Sequence, residues 1–388
     1  MEKRVALSKL KELKKKKKKD QKEDVDFPEE ALRVKSMDAA GVYRRVSQKA
    51  KDIASKIIEG TEPIFTVPSR SEDNIMFDNV SETVLMGKKH KKRRFLSIRS
   101  SKKFSMTARV LAIISELLKE NIHATKREIY YNDVKLFEDQ RESDKILEDV
   151  ASLLQVDRNS LNVVASAKGS VVGRLTFKEG GDEINCQKMG SGGKSISPLI
   201  DTITDIESDA EFILVIEKDA AFLRLSEDRF YDRYPSILVT GKGFPDLATR
   251  MFLKKIEKEL ELPVLSLVDS DAYGVHIQLI YAVGSKSMSY QTPFLTVPEI
   301  KWLGVRPSDL DKYDIPRSVR LSMSDNDVKR AKNLLDEAFI KQRPEYQKEL
   351  KLMLKNKEKA EIQALASKGF RYLSEEYLPT KLETGDWI

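Results

Sequence analysis

Three acidic side chains close two unbroken apolar runs. Glu217 ends EFILVIE (211–217), while Asp269 and Asp271 end PVLSLVDSD (263–271). Val, Ile and Leu runs this short predict parallel strands buried on both faces. Open α/β sheets place their functional crevice beyond the carboxyl ends of such strands. Residues i and i+2 of an extended chain point the same way, so Asp269 and Asp271 aim at one point; if the two strands are neighbours, Glu217 joins them. Three clustered carboxylates repel one another unless a hard cation such as Mg²⁺ neutralises them. The competing explanation for DSDAYG (269–274) is a pair of helix N-caps on a strand-to-helix turn. A calcium loop of the D-x-[DN]-x-[DN]-G type is excluded, because Tyr273 and Ile280 stand where it needs an oxygen ligand and a Glu.

A second constellation is TKREIYYND (125–133), read as a short helix capped by Thr125. On that helix Arg127 and Tyr131 are i and i+4, one above the other, whereas Tyr130 lies about 100° away. A phenol with a pKa of about 10 is a poor nucleophile at neutral pH. An adjacent guanidinium or metal favours the phenolate and stabilises charge on an attacked phosphate. The alternative is an aromatic packing residue beside a surface Arg. A third, TGKGFPD (240–246), ends a strand in a Gly loop carrying Lys242, which suits close approach to a phosphate or simply makes a tight turn.

The rest of the composition narrows the chemistry. A single cysteine, Cys186, excludes a disulfide framework or a cysteine-built zinc site and suits a reducing interior. Three scattered histidines leave little room for His-based catalysis. Few cysteines with abundant Lys and Glu fit a heat-adapted protein of an archaeal-type cell. The net charge of +7 points to a polyanionic partner and is concentrated in two places. One is the lysine run within KELKKKKKKDQKED (11–24). The other is GKKHKKRRF (87–95), where Lys88, Lys89, Lys91, Lys92, Arg93 and Arg94 are candidate DNA contacts. No apolar stretch approaches the about 18–20 residues that span a bilayer, and the N-terminus lacks a signal-peptide pattern, so a cytoplasmic protein is expected.

The elements that must position these residues are read as α/β and multidomain. Residues 1–35 are expected to be a disordered basic tail, and 36–60 a lone docking helix with Ser36 as N-cap. Residues 61–178 follow as strand fragments, three helices (104–121, one starting at Thr125, and 143–156 capped by Ser143) and a hairpin at 161–177 turning near Lys168-Gly169. Three helices plus a hairpin is the winged-helix pattern of DNA-binding modules. The stretch 179–197 is expected to be a Gly-rich linker. Its GSGGKS is not a phosphate loop, since Lys188 stands where the Walker pattern needs Gly. From 198 to 388 strands alternate with helices, which implies a mainly parallel sheet flanked by helices.

In this order, behind that helical module, TKREIYY, SAKGSVVGRL, VIEKDAAF, VTGKGFPD, LVDSDAYG and the closing EIQAL, LPTKL and GDW resemble the A subunit of topoisomerase VI and the related meiotic double-strand-break transesterases. The resemblance runs from about residue 100 to the C-terminus. It implies a Toprim domain in which Glu217, Asp269 and Asp271 bind Mg²⁺. It also implies that Tyr131 is the nucleophile forming a 5′-phosphotyrosyl link, with Arg127 assisting; the family often has Phe at the position of Tyr130. Ala272 departs from the family's usual D-x-D-P-Y-G. The resemblance further implies a homodimer acting on duplex DNA, with ATP bound by a separate B subunit in an A₂B₂ heterotetramer. Helix 36–60 is the candidate for docking on B.

Overall fold

The structure, a computed structural model, describes residues 2–20, 27–164 and 167–388. The longer helices among the described residues of its N-terminal half are α1 (Glu2–Asp20), α2 (Ala39–Ile58), α3 (Ser101–Glu120), α4 (Lys126–Asn132) and α5 (Gln140–Leu154), with a single turn at Val134–Phe137 between the last two. Helices α2 to α5 share one core, in which Val42, Val46, Val110, Ile114, Ile129, Ile146 and Val150 are buried at helical spacing. A strand pair, Ile64–Pro68 against His90–Arg94, packs beside them.

The second half is organised on a six-stranded sheet: β1 (Ser170–Gly173), β2 (Lys194–Ser195), β3 (Phe212–Ile216), β4 (Ser236–Thr240), β5 (Val264–Leu267) and β6 (Lys301–Gly304). Its spatial order is β2-β1-β4-β3-β5-β6. Strands β4, β3, β5 and β6 run parallel, and β1 and β2 add antiparallel at one edge. Both faces are covered, which is why the strands read as continuous apolar runs. Ile213, Val215, Ile237 and Val239 face helices α7 (Leu247–Leu260) and α8 (Ala272–Ala282). Phe212, Leu214, Ile216 and Leu238 face α6 (Asp219–Glu227) and α9 (Leu378–Thr384).

Several expectations are corrected. The basic tail is not disordered throughout: α1 carries Ala6, Leu10 and Leu13 one turn apart, and this apolar edge packs on α9 and Trp387. Residues 1 and 21–26 of that expected tail lie outside the described residues. Helix α2 is capped by Asp38 rather than Ser36, and α5 by Asp139, leaving Ser143 buried inside the helix.

The hairpin expected at 161–177 does not form. Val163–Val164 pairs in parallel with Ala124–Thr125, while β1 leaves for the main sheet; Ala165 and Ser166 lie outside the described residues. The expected linker is partly strand, at Glu179, Asp182–Asn185 and Lys194–Ser195. Thr176–Glu179 and Asp182–Asn185 form a hairpin turning through Gly180 and Gly181, both with positive φ (60° and 98°). Paired positive-φ residues make the primed turn whose twist matches a hairpin, so the glycines serve pairing rather than flexibility. Among the described residues no helix is long and apolar enough to cross a membrane.

One buried ionic cluster ties the two halves together. Glu148 on α5 is 2.8 Å from Lys126 Nζ at the start of α4 and 3.2 Å from Arg158 Nη1, and it accepts the Tyr290 hydroxyl from the sheet domain. Gln291 Oε1 also accepts the Arg158 N–H at 3.1 Å. Burial pushes the Glu148 carboxyl up, but the charges of Lys126 and Arg158 outweigh it and hold it at about 2, below its ordinary 4.5. A depressed carboxyl contributes stability that is full above pH 4.5 and disappears as pH falls through about 2. Glu148→Gln is expected to cost about 3 kcal/mol at neutral pH, as when a buried pair loses one partner. It should also flatten the wild-type loss of stability between pH 4.5 and 2, as followed by denaturant melts. An unchanged acid limb would show that Glu148 does not carry this dependence.

Candidate active site and metal centre

The acids meet because β3 and β5 are parallel neighbours, with Ile216 opposite Leu267. One residue beyond, the Glu217 N–H donates to Leu267 O at 2.9 Å, and Glu217 Oε2 accepts the Asp269 N–H at 2.9 Å. Glu217 and Asp269 are only 8% and 4% exposed, so little water screens them. Asp269 Oδ1 accepts the Ile362 N–H at 2.8 Å, and Oδ2 lies 3.1 Å from Lys218 Nζ. Asp271 Oδ1 caps α8, accepting from the N–H groups of Tyr273 and Gly274 at 2.9 and 2.7 Å. The loop carrying Lys242 closes over the same strand ends, with the Gly243 N–H donating to Glu217 O at 2.8 Å. Lys242 itself is exposed, 3.4 Å from Asp219.

Burial, followed by the charges of Asp269 and Asp271, drives the Glu217 carboxyl up to about 8. Burial likewise raises Asp269, against the Ile362 N–H and Lys218, and Asp271, against the Gly274 and Tyr273 N–H groups and Lys359. All the donors are oxygens, which suits a hard divalent cation, and a cation there would relieve the crowding. As they stand, no three His, Cys, Asp or Glu side chains among the described residues are grouped to hold an ion. Each acid has an oxygen engaged elsewhere, and Asp269 has both.

The sequence reading missed the charged groups that frame the acids. Lys218 bridges Asp269 to Glu361, whose Oε2 is 2.6 Å from its Nζ. Lys359 pairs with buried Asp327 at 2.7 Å and adds its charge near Asp271. Lys218 sits in VIEKDAAF and could have been found there. Its partner lies more than a hundred residues away, where no spacing rule reaches.

Tyr131 projects from α4, whose start is fixed by a capping box. Glu128 N–H donates to Thr125 Oγ1 at 3.3 Å, and Glu128 Oε2 accepts the Thr125 N–H at 2.6 Å. Ile129 points into the core, which turns Tyr131 outward, 60% exposed. The Arg127 guanidinium carbon lies 5.8 Å from the centre of the Tyr131 ring, as i and i+4 geometry requires. Tyr130 is half-buried, with its ring 5.2 Å from that of Tyr131 and its hydroxyl 3.5 Å from Glu138 O.

The basic cluster divides. In the strand His90–Arg94, alternation points Arg93 inward: it is 9% exposed and bonded to Asp149 and Thr107, so it serves packing and not a surface contact. Arg94 pairs with Glu62 at 2.6 Å and Lys89 with Asp73 at 3.2 Å. Lys88, Lys91 and Lys92 are exposed.

With this geometry the chain matches two protein-family models. Residues 102–163 match the type IIB DNA topoisomerase model, and residues 212–382 match the model for the Toprim domain shared by Spo11 and the A subunit of topoisomerase 6. An Arabidopsis thaliana protein, named as the A subunit of DNA topoisomerase 6, is 54% identical over 87% of this chain and 79% of its own length. The human meiotic recombination protein SPO11 is 38% identical, covering 89% of this chain and 88% of its own. The Aeropyrum pernix protein named as the A subunit of type 2 DNA topoisomerase 6 is 35% identical, covering 88% and 94%. The plant relative exceeds this archaeal one in identity, so the similarity does not single out an archaeal-type cell. Both matched domains and the near-complete coverage place the chain in the family formed by Spo11 and the topoisomerase 6 A subunits.

Proposed function

We propose that the chain is the DNA-cleaving subunit of an ATP-dependent type IIB topoisomerase, relaxing and decatenating duplex DNA. The observation that carries this is an outward-facing phenol, Tyr131, held beneath the Arg127 guanidinium within the region matching the type IIB model. The higher identity to the plant topoisomerase 6 relative than to the human SPO11 favours the topoisomerase over the meiotic break-former. A non-catalytic DNA-binding protein is the weaker reading, because Tyr131 and all three acids are present.

In the cleavage step the Tyr131 phenol loses its proton and its oxygen bonds to a backbone phosphorus. The P–O3′ bond breaks and O3′ takes up a proton. The products are a 5′-phosphotyrosyl link and a free 3′-hydroxyl. One phosphoester replaces another, so resealing is the reverse step and draws on no ATP. Arg127, beside the phenol, favours the phenolate and the charge developing on the phosphate. Glu217, Asp269 and Asp271 would hold Mg²⁺, which when bound supplies positive charge against the phosphate oxygens. Lys218 shields Asp269 until then.

Tyr131 and the acids belong to different domains, and a homodimer would let Tyr131 of one copy meet the acids of the other. Helices α3 to α5 would serve as the winged-helix-type module facing DNA, without the hairpin wing expected from the sequence. Lys88, Lys91, Lys92 and Lys242 would contact phosphates. Helix α2, which leaves Ile57 and Ile58 exposed at its C-terminal end, would dock the ATP-binding B subunit in an A₂B₂ assembly. This chain would work in the cytoplasm on DNA.

With the B partner, ATP, Mg²⁺ and duplex DNA, Tyr131→Phe is expected to abolish the covalent adduct seen on denaturing gels while Tyr130→Phe retains it; the opposite pattern reassigns the nucleophile. Asp269→Asn keeps an acceptor for the Ile362 N–H, so it should fold and retain DNA yet lose Mg²⁺-dependent cleavage. Equal cleavage by the wild type in EDTA refutes the metal assignment. Replacing Lys88, Lys91 and Lys92 by Ala should reduce the slope of log affinity against log salt by about 2 to 3. No change in that slope makes the loop a bystander.

A further inference from the structure

A cleft of about 900 Å³ separates the helical half from the sheet domain, with Arg127, Gln140 and Arg158 on one wall and Pro245, Arg250 and His276 on the other. Most cations there are already neutralised: Lys126 and Arg158 by Glu148, and Lys286 by Glu337 at 2.8 Å. Two are not. Arg127 has no carboxylate partner among the described residues and lies over the Tyr131 ring.

Arg250 is the more informative of the two. It sits on α7, 4% exposed, and its Nε donates to Leu295 O at a long 3.4 Å. Its Nη2 has no hydrogen-bond partner among the described residues. The acid one turn earlier, Asp246, is occupied, with Oδ1 accepting the Thr249 N–H and Oδ2 the Lys168 N–H. Burial pushes the Arg250 guanidinium down to about 10, the mark of a cation taken out of water without a counter-charge. A buried charge is normally paired, and one left unpaired at the wall of a cleft asks for an anion from outside the chain. The guanidinium presents a planar fork of donors matched to two phosphate oxygens.

We propose that this cleft is a phosphate-binding site that receives a nucleic-acid backbone phosphodiester between the buried Arg250 guanidinium and the exposed Arg127. Arg127 both lines the cleft and stacks on the Tyr131 ring, so a strand held between it and Arg250 would pass next to the helix that carries the phenol. Arg250 is here a binding residue and takes no part in the chemistry. The inference rests on the proposed action on DNA.

The test uses the full chain, Arg250→Met and Arg250→Lys, with inorganic phosphate and a short DNA duplex as probes. In phosphate-free chloride buffer, Arg250→Met should melt at the wild-type temperature or above it, because it removes a charge with no partner. Inorganic phosphate should raise the wild-type melting temperature in a saturable way and leave that of Arg250→Met unmoved. The salt slope for DNA retention should fall by about one in Arg250→Met, one phosphate contact, and be restored in Arg250→Lys, which keeps the charge.

Arg250→Met melting well below the wild type in chloride buffer, or a wild type that shows no saturable phosphate shift, makes Arg250 a packing group and overturns the proposal. A phosphate response that depends on Arg250 alongside an unchanged DNA slope assigns the site to a free anion and overturns the phosphodiester assignment. The covalent adduct of the wild type with its B partner separates the two readings. An adduct with no Arg250 effect sinks the site alone, whereas an Arg250-dependent slope without any adduct sinks the cleavage function and leaves the site standing.

Discussion

The parallel pairing of β3 with β5 forces Glu217 and Asp269 together, since the strands end in register and the Asp269 N–H must donate to the Glu217 carboxylate. Everything charged around the strand ends answers to that contact. Lys218 and Glu361 form a chain against Asp269, Lys359 and Asp327 stand behind Asp271, and the Gly243 N–H is tied to Glu217 O. Helix α8 begins where it does because Asp271 caps it. Crowding of this kind is unfavourable in a protein with no use for it, because buried like charges each raise the cost of ionising the next. Oxygen donors at the carboxyl ends of parallel strands suit a hard cation, which is the reading proposed for these acids.

The second constraint concerns where the phenol is held. Helix α4 has only seven residues, too few to be stable alone. It is fixed by the Thr125 capping box, by Ile129 in the core, and by Lys126 on the Glu148 cluster that also takes Arg158 and Tyr290. The cluster therefore links the start of the helix that carries Tyr131 to the domain carrying the acids. Arg70 adds a second link, pairing with Asp149 at 2.7 Å while reaching Ser287 O at 3.5 Å. Buried networks of this kind fix relative position better than apolar contact, because their hydrogen bonds are satisfied in only one arrangement.

Much of this is legible in the residues. Strands β3, β4 and β5 announce themselves as short Val, Ile and Leu runs, and the capping box at Thr125 with an i, i+4 Arg–Tyr pair marks α4. The failures have physical causes. Glycines near 180 and 193 look like a joint, yet Gly180 and Gly181 build a hairpin turn, and Gly193 lets the backbone pass Val171 O where an added Cβ would lie 2.6 Å away. The lysine-rich α1 hides a sparse apolar stripe that gains stability only against α9, a partner more than 350 residues distant. Arg93 reads as one more surface cation in its run, although strand alternation assigns it inward. Arg250 gives no local signal, since its isolation is visible only after the chain has folded around it.

The central claim, that the three acids share one divalent cation, is tested most directly by loading the metal-free chain with iron(II) in place of Mg²⁺. Ascorbate and peroxide then generate hydroxyl radicals at the bound metal, and backbone cuts are mapped by mass spectrometry. The account predicts cuts clustered beside Glu217 and across Asp269 to Asp271, suppressed by excess Mg²⁺. Cuts confined to other parts of the chain, or insensitive to Mg²⁺, contradict it.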